Sequence, residues 1–217
     1  LLSLVRAGVA LTCLPLRGST AHAAVMGVPT QGARVRLRQY RAASDPVSRL
    51  AVARVVLVHK FRAMQEFAKA GGGAATVPYE QALAALPLAQ TTAELMGIEG
   101  AASRQHFACF RDRVPCGWRF AQRQRQPPPD GVNALLSLGY SLALAPAMQT
   151  AQRCGLDAQI GFLHGTQRDH PALALDLLEP ARPLVDGFVL GLLREDFLSP
   201  ADFTIDPTLG ARLAEPA

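Results

Sequence analysis

The sequence predicts a mostly α protein, a helical domain preceded by the remnant of an N-terminal β domain, and three observations lead there. First, 217 residues with 49% hydrophobic and 18% charged side chains supply a substantial core and too little charge for a disordered chain. Second, helix-start signals recur at Ser44-Asp45-Pro46, Thr91-x-x-Glu94 and Asp130, where a side-chain oxygen can take up an orphan N–H of the first turn. Third, short apolar runs broken by glycine-rich turns, the pattern of strands, gather in the first forty residues. The expected division is residues 1–40 for the β remnant with its linker and 41–217 for the helical domain.

Taken in order, Ala7 to Leu16 and Ala33 to Leu37 read as short strands. They look like the trailing edge of a β domain whose beginning is absent, since the chain opens on Leu1 rather than Met. After Asp45 as N-cap and Pro46 at the first helical position, Val47, Leu50, Val55, Val58, Phe61 and Met64 recur at helical spacing up to Phe67. From there on the chain is expected to be helical. The Ala70-Gly-Gly-Gly-Ala connector is a hinge or turn, because no Gly-Lys-Ser/Thr follows to make a phosphate loop. The capping box at Thr91 starts a helix near Thr92 that carries Glu99, with Ala102, Ser103 and His106 on the same face. Arg119 to Asp130 holds three successive prolines and reads as an extended basic loop. Asp130 caps a helix from Val132 to about Thr150, and a last pair spans roughly Ala172 to Glu179 and Pro183 to Phe197. Pro180 has no N–H for the carbonyl of Asp176, so the chain should bend after Glu179.

Of 22 basic residues only Lys60 and Lys69 are lysines, against 17 acidic ones, for a net charge of +5. Arginine forks match phosphate oxygens, so a polyanion partner is permitted, although a GC-rich genome favours arginine equally. Cys13, Cys109, Cys116 and Cys154 form no C-x-x-C pair, and their spacing suits neither a zinc ribbon nor a disulfide framework. Reduced thiols in a cytoplasmic protein are expected. Leu1 to Leu16 followed by Ala21-His22-Ala23 imitates a cleaved leader, but Gly8, Pro15 and Arg17 interrupt it. No window reaches eighteen uninterrupted apolar residues, so no membrane span is predicted.

Three stretches set a metal-competent side chain among small or apolar neighbours: Gly97-Ile-Glu99-Gly-Ala-Ala102, Gly161-Phe-Leu-His164-Gly165 and Leu173-Ala-Leu-Asp176-Leu-Leu-Glu179. Asp176 and Glu179, three apart, share a helix face, and a like-charged pair beside a core calls for a cation. Carboxylates with one imidazole suit Mg²⁺ or Mn²⁺ better than zinc. Each stretch alone also fits a structural part: a salt-bridged glutamate, a hydrogen-bonded core histidine, a solvated acidic face.

The order G-x-E-G-x-A at Gly97, P-P-x-D-x-V-N-A-L-L-S-x-G-Y at Pro127, G-L-D with G-F-L-H up to His164 and A-L-A-L-D-L-x-E-x-x-R-P from Ala172 resembles the CRISPR-associated integrase that acquires new spacers. Leu37-Arg-Gln-Tyr40 and Ala51 to Lys60 resemble its junction between β and helical domains. The resemblance implies a helical catalytic domain with metal ligands at Glu99, His164 and Glu179, Asp176 as neighbouring acid, and Mg²⁺ or Mn²⁺ as cofactor. It implies a homodimer that works with a small second CRISPR adaptation protein on double-stranded DNA, the prespacer and the CRISPR repeat. The reaction implied is transesterification, in which a 3′-hydroxyl attacks a phosphodiester. With water as nucleophile the same site is a structure-specific nuclease, and a chain without its β domain could instead be a catalytically silent DNA-binding or assembly module. Arg104, Arg123, Arg125 and Arg168 are the candidates for phosphate contacts. His106 stands where the family usually has tyrosine, and it is expected at the DNA or next to the ligands rather than on the ion, with a contact inside the core as the alternative. The family's G-R-x-R segment is represented by Ala121-Gln-Arg123-Gln-Arg125.

Overall fold

The computed structural model describes residues 3, 11–13, 23–25, 32–72, 76–165, 170–195 and 197–214. In the front of the chain, β1 (Leu11–Cys13) pairs antiparallel with β2 (Ala23–Val25), Thr12 opposite Ala24. Helix α1 (Gly32–Ser44) follows. Ala33 to Leu37, expected as a strand, lies inside it, and the boundary expected after residue 40 falls within the same helix. The local apolar alternation is overruled by contacts from far along the chain. Gln39, buried, donates to the carbonyls of Asp157 and Ile160 and accepts from the Asp157 N–H, so α1 is anchored to a loop some 120 residues away.

Helix α2 (Pro46–Lys69) starts where the cap predicts, with Asp45 accepting from the Ser48 N–H at 2.9 Å. Its inward face is Leu50, Ala53, Leu57, Lys60, Phe61, Met64, Phe67 and Ala68. Val47 and Val55, counted into the expected stripe, point outward at 76% and 56% exposure. The stripe is therefore rotated, and a lysine sits inside it. Around α2 pack α1, α3 (Val77–Ala85) and α4 (Thr92–Arg111). Thr91 caps α4 by accepting from Glu94, while the Glu94 carboxylate reaches one residue further back, to the Gln90 N–H.

The basic loop ends at Asp130, which accepts from the Asn133 N–H and opens α5 (Gly131–Arg153). By length and composition α5 could cross a membrane, and no other helix among the described residues could. Here it packs on α6 (Ala172–Leu178), α7 (Arg182–Arg194) and the C-terminal hairpin, with Asn133 and Tyr140 on its buried face. Between α6 and α7 the chain tightens into a 3₁₀ turn, Glu179–Ala181, with Pro180 inside it. The chain does not stay helical to the end: β3 (Phe203–Asp206) and β4 (Gly210–Leu213) form a hairpin. Gly210, at φ +76°, turns it against the proline loop, where a Cβ would lie 2.5 Å from the Pro128 carbonyl oxygen.

Among the described residues three apolar clusters result, one on α2, α3 and α4, one joining α4, α5 and α7, and a small one around Ala151, Phe162 and Leu173. Burying each Leu, Phe or Met side chain contributes about 1.5–3 kcal/mol. Among the described residues, Cys109, Cys116 and Cys154 are free thiols.

Candidate active site

The acidic and imidazole groups singled out in the sequence stand where the clusters meet. Glu99 rides on α4 between Leu95 and Ala102 of the first cluster, and Glu179 follows Leu178 of the second. His164 comes after Phe162 of the third and Leu163 of the first. Its loop passes so close to α6 that a Cβ on Gly161 would lie 2.7 Å from the Ala172 carbonyl carbon.

Asp176 is fully buried and holds that loop. It accepts backbone N–H bonds from Phe162, Leu163 and His164 at 2.6, 3.0 and 2.9 Å, and pairs with His164 Nδ1 at 2.7 Å. A carboxylate that accepts all four takes Nδ1 as a donor and leaves Nε2 as the ring nitrogen free to face the site. That Nε2 faces Glu179 Oε1 at 3.8 Å, and the imidazole side chain is 22% exposed. Arg49 donates to the Phe162 carbonyl and braces the loop from α2.

Lys60 lies at the centre. Its ammonium bonds both Glu99 Oε1 and Glu179 Oε2, and its side chain is 4% exposed. Ser103 donates to Glu99 Oε1 at 2.6 Å, and Arg182 Nε donates to Glu179 Oε1 at 2.9 Å. Lys60 and Arg182 thus match the charges of the two glutamates inside the fold. Burial alone would push the Glu179 carboxyl up, but the Lys60 and Arg182 cations beside it outweigh that and hold it down to about 2.

Two carboxylates and one free imidazole nitrogen are donors that suit Mg²⁺ or Mn²⁺. Ligand atoms of one such ion lie about 3–4 Å apart, the range of the His164 to Glu179 separation of 3.8 Å. In the arrangement seen, no three His, Cys, Asp or Glu among the described residues are set to hold an ion; the Lys60 ammonium is inserted between two of the three donors.

A model of the family described as CRISPR associated protein Cas1 matches residues 1–217. The chain belongs to the Cas1 family. A relative from Thermus thermophilus, named CRISPR-associated endonuclease Cas1 3, is 34% identical over 185 residues, covering 85% of this chain and 56% of its own length. The chain spans about half the length of the curated relatives it matches. Its fold is similar to a casposase bound to integration product, with TM-score 0.84 and 26% identity over 97% of this chain and 60% of that one. It is also similar to a Cas1 protein from Thermotoga maritima, with TM-score 0.79 and 25% identity over 89% of this chain and 63% of that one.

Against this Cas1 frame the candidate residues divide. Glu99, His164, Asp176 and Glu179 are brought together, with Asp176 behind His164 as its positioning group. His106, expected at the DNA, is corrected: it is 1% exposed, paired through Nε2 with Asp186 at 2.7 Å and packed between Phe67 and Phe107. Asp186 also accepts from the Tyr140 hydroxyl, whose pKa burial and then the Asp186 charge push well up. Arg123 is likewise drawn inward. It donates to Asn133 Oδ1 at 3.0 Å and Ser137 Oγ at 3.0 Å and lies over the Tyr140 ring, so the geometry makes it a clasp for the basic loop. Arg104 and Arg125 are exposed, and Arg168 lies outside the described residues. Arg125 lines a cavity of about 150 Å³ shared with Lys60, Glu99, Ser103, Tyr140 and Arg182.

Sequence reasoning missed Lys60, Arg182, Asn133 and Asp186. Lys60 had a signal, being one of two lysines and lying in register with Ala53, Leu57 and Met64 on the inward face of α2. Arg182, three residues after Glu179, had the spacing of a helical ion pair.

Proposed function

We propose that this chain is the helical catalytic part of a metal-dependent DNA integrase and endonuclease that inserts short DNA spacers into a CRISPR array. Glu99, His164 and Glu179 would hold Mg²⁺ or Mn²⁺. The observation that carries the reading is the single pairing of His164 Nε2 with Glu179 Oε1 at 3.8 Å while Nδ1 is committed to Asp176. A ring nitrogen kept as a lone-pair donor beside a carboxylate, with its tautomer fixed from behind, is the arrangement of a metal-ligating histidine. The names of the relatives, an endonuclease and a casposase bound to integration product, support the same reaction class.

When bound, the ion would offset charge on a phosphodiester oxygen as the bond to phosphorus is exchanged. The residues of the chain do the rest. Asp176 fixes the imidazole, Arg182 and Ser103 hold the two glutamates, and the exposed Arg104 and Arg125, the second of them lining the cavity, would meet phosphates. Strand transfer and hydrolysis differ only in whether a DNA 3′-hydroxyl or water attacks. A homodimer and a small second adaptation protein are the partners this reading requires.

The test offers a labelled DNA with a free 3′-hydroxyl and a repeat-containing plasmid in Mn²⁺, with and without the second protein. Joined product is expected from the wild-type protein and none from Glu99→Ala. Cleavage without joining would leave the nuclease reading, and binding without either would leave the silent module.

A further inference from the structure

Lys60 puts its ammonium on the oxygens that the proposed ion ligands would need. It joins Glu99, 39 residues on, to Glu179, 119 residues on. A buried ion pair does not by itself stabilise a fold more than apolar residues of the same shape, so packing alone gives no reason for a lysine on the inward face of α2. The reason lies in its partners. Without a cation between them, two ionised carboxylates would be held at close range inside the protein, and their repulsion would spread the site open.

We infer that Lys60 is a tethered cation that holds Glu99 and Glu179 together before a divalent ion arrives and then yields both carboxylates to it. This rests on the reading of Glu99, His164 and Glu179 as ion ligands. One observation and one physical argument carry the exchange. The Lys60 side chain lines the cavity of about 150 Å³ beside the pair, with Asp186 in the same wall, so the freed ammonium has room and a negative charge to move toward. A divalent ion also brings twice the charge to the same two oxygens, which favours replacement. The lysine, on its own stem, stays at hand to return when the ion leaves.

The chain makes this testable, because Lys60 and Lys69 are its only lysines. Lys69 is 57% exposed and serves as the internal reference. In reductive methylation with ¹³C-formaldehyde, Lys60 should be protected without ions. Saturating Mg²⁺ should raise its rate relative to Lys69 by at least about tenfold, the factor that corresponds to loss of one charged hydrogen bond. Lys60→Met should melt lower than wild type in EDTA and bind Mg²⁺ at least about tenfold more tightly by calorimetry, since the competing cation is gone. Unchanged protection of Lys60 while calorimetry records bound Mg²⁺ overturns the exchange and leaves the ligand reading standing. Equal or weaker Mg²⁺ affinity in Lys60→Met does the same. No Mg²⁺ bound by either protein overturns the ligand reading itself.

Discussion

Among the described residues stand two His–Asp pairs of the same length and opposite character. His164 meets Asp176 at 2.7 Å through Nδ1, and His106 meets Asp186 at 2.7 Å through Nε2. In the first pair the free nitrogen faces Glu179 from a ring 22% exposed. In the second, Nδ1 is buried with no hydrogen-bond partner among the described residues, inside a ring 1% exposed and packed by phenylalanines. One pair presents its free nitrogen to Glu179, and the other seals the inner wall of the cavity beside Lys60. A histidine beside an acid is thus not a functional signal in itself. What matters is which nitrogen the acid takes and what surrounds the other.

Truncating each ring separates the two pairs. His164→Ala should lower Mn²⁺-dependent cleavage and strand transfer by more than about 10²-fold, beyond the 10–100-fold usual for an outer partner of a metal ligand, with a melting temperature near wild type. His106→Ala should do the reverse. It leaves Asp186 short of a partner and opens a cavity beside Phe67, so it should cost about 2–4 kcal/mol in urea unfolding while Mn²⁺ still binds. Equal losses of stability in both variants would erase the distinction.

A second test asks whether charge is what organises the open centre. Glu179 is held at about 2 against an ordinary 4.5. A carboxyl lowered on folding stabilises the protein above its unfolded pKa, and that contribution fades as pH falls toward the folded value. The stability gap between wild type and Glu179→Gln should therefore be constant above about pH 5 and shrink between about pH 4.5 and 2. A gap as large at pH 3 as at pH 6 would mean that shape, not charge, holds Lys60 and Arg182 there.

The smallest effect separates two arginines two residues apart. Arg125→Ala should weaken DNA binding alike for all sequences and lower the salt slope by about one unit. Arg123→Ala should instead destabilise the basic loop, because its guanidinium is spent on Asn133, Ser137 and Tyr140. Its own slope change should be near zero. An equal change in slope for both would return Arg123 to the DNA.

The sequence alone determined what acts within one helical turn. Asp45, Thr91 and Asp130 set helix starts because a cap needs only an N–H two or three residues away, and Pro180, with no donor of its own, stands in the 3₁₀ turn that ends α6. The motifs around Glu99, His164 and Glu179 also named the acids and the imidazole in advance. Tertiary structure alone decided what depends on distant chain. It made Ala33 to Leu37 helical through Gln39 and the Asp157 loop, turned Val47 and Val55 outward, and sealed His106 against Asp186, 80 residues on. It also placed Lys60 between two glutamates that nothing in the local pattern of α2 announces. The physical reason is the same throughout: helix caps and proline effects are short-ranged and readable from neighbours, whereas burial, charge pairing and the fate of a histidine's second nitrogen are set by whichever remote segment packs against it.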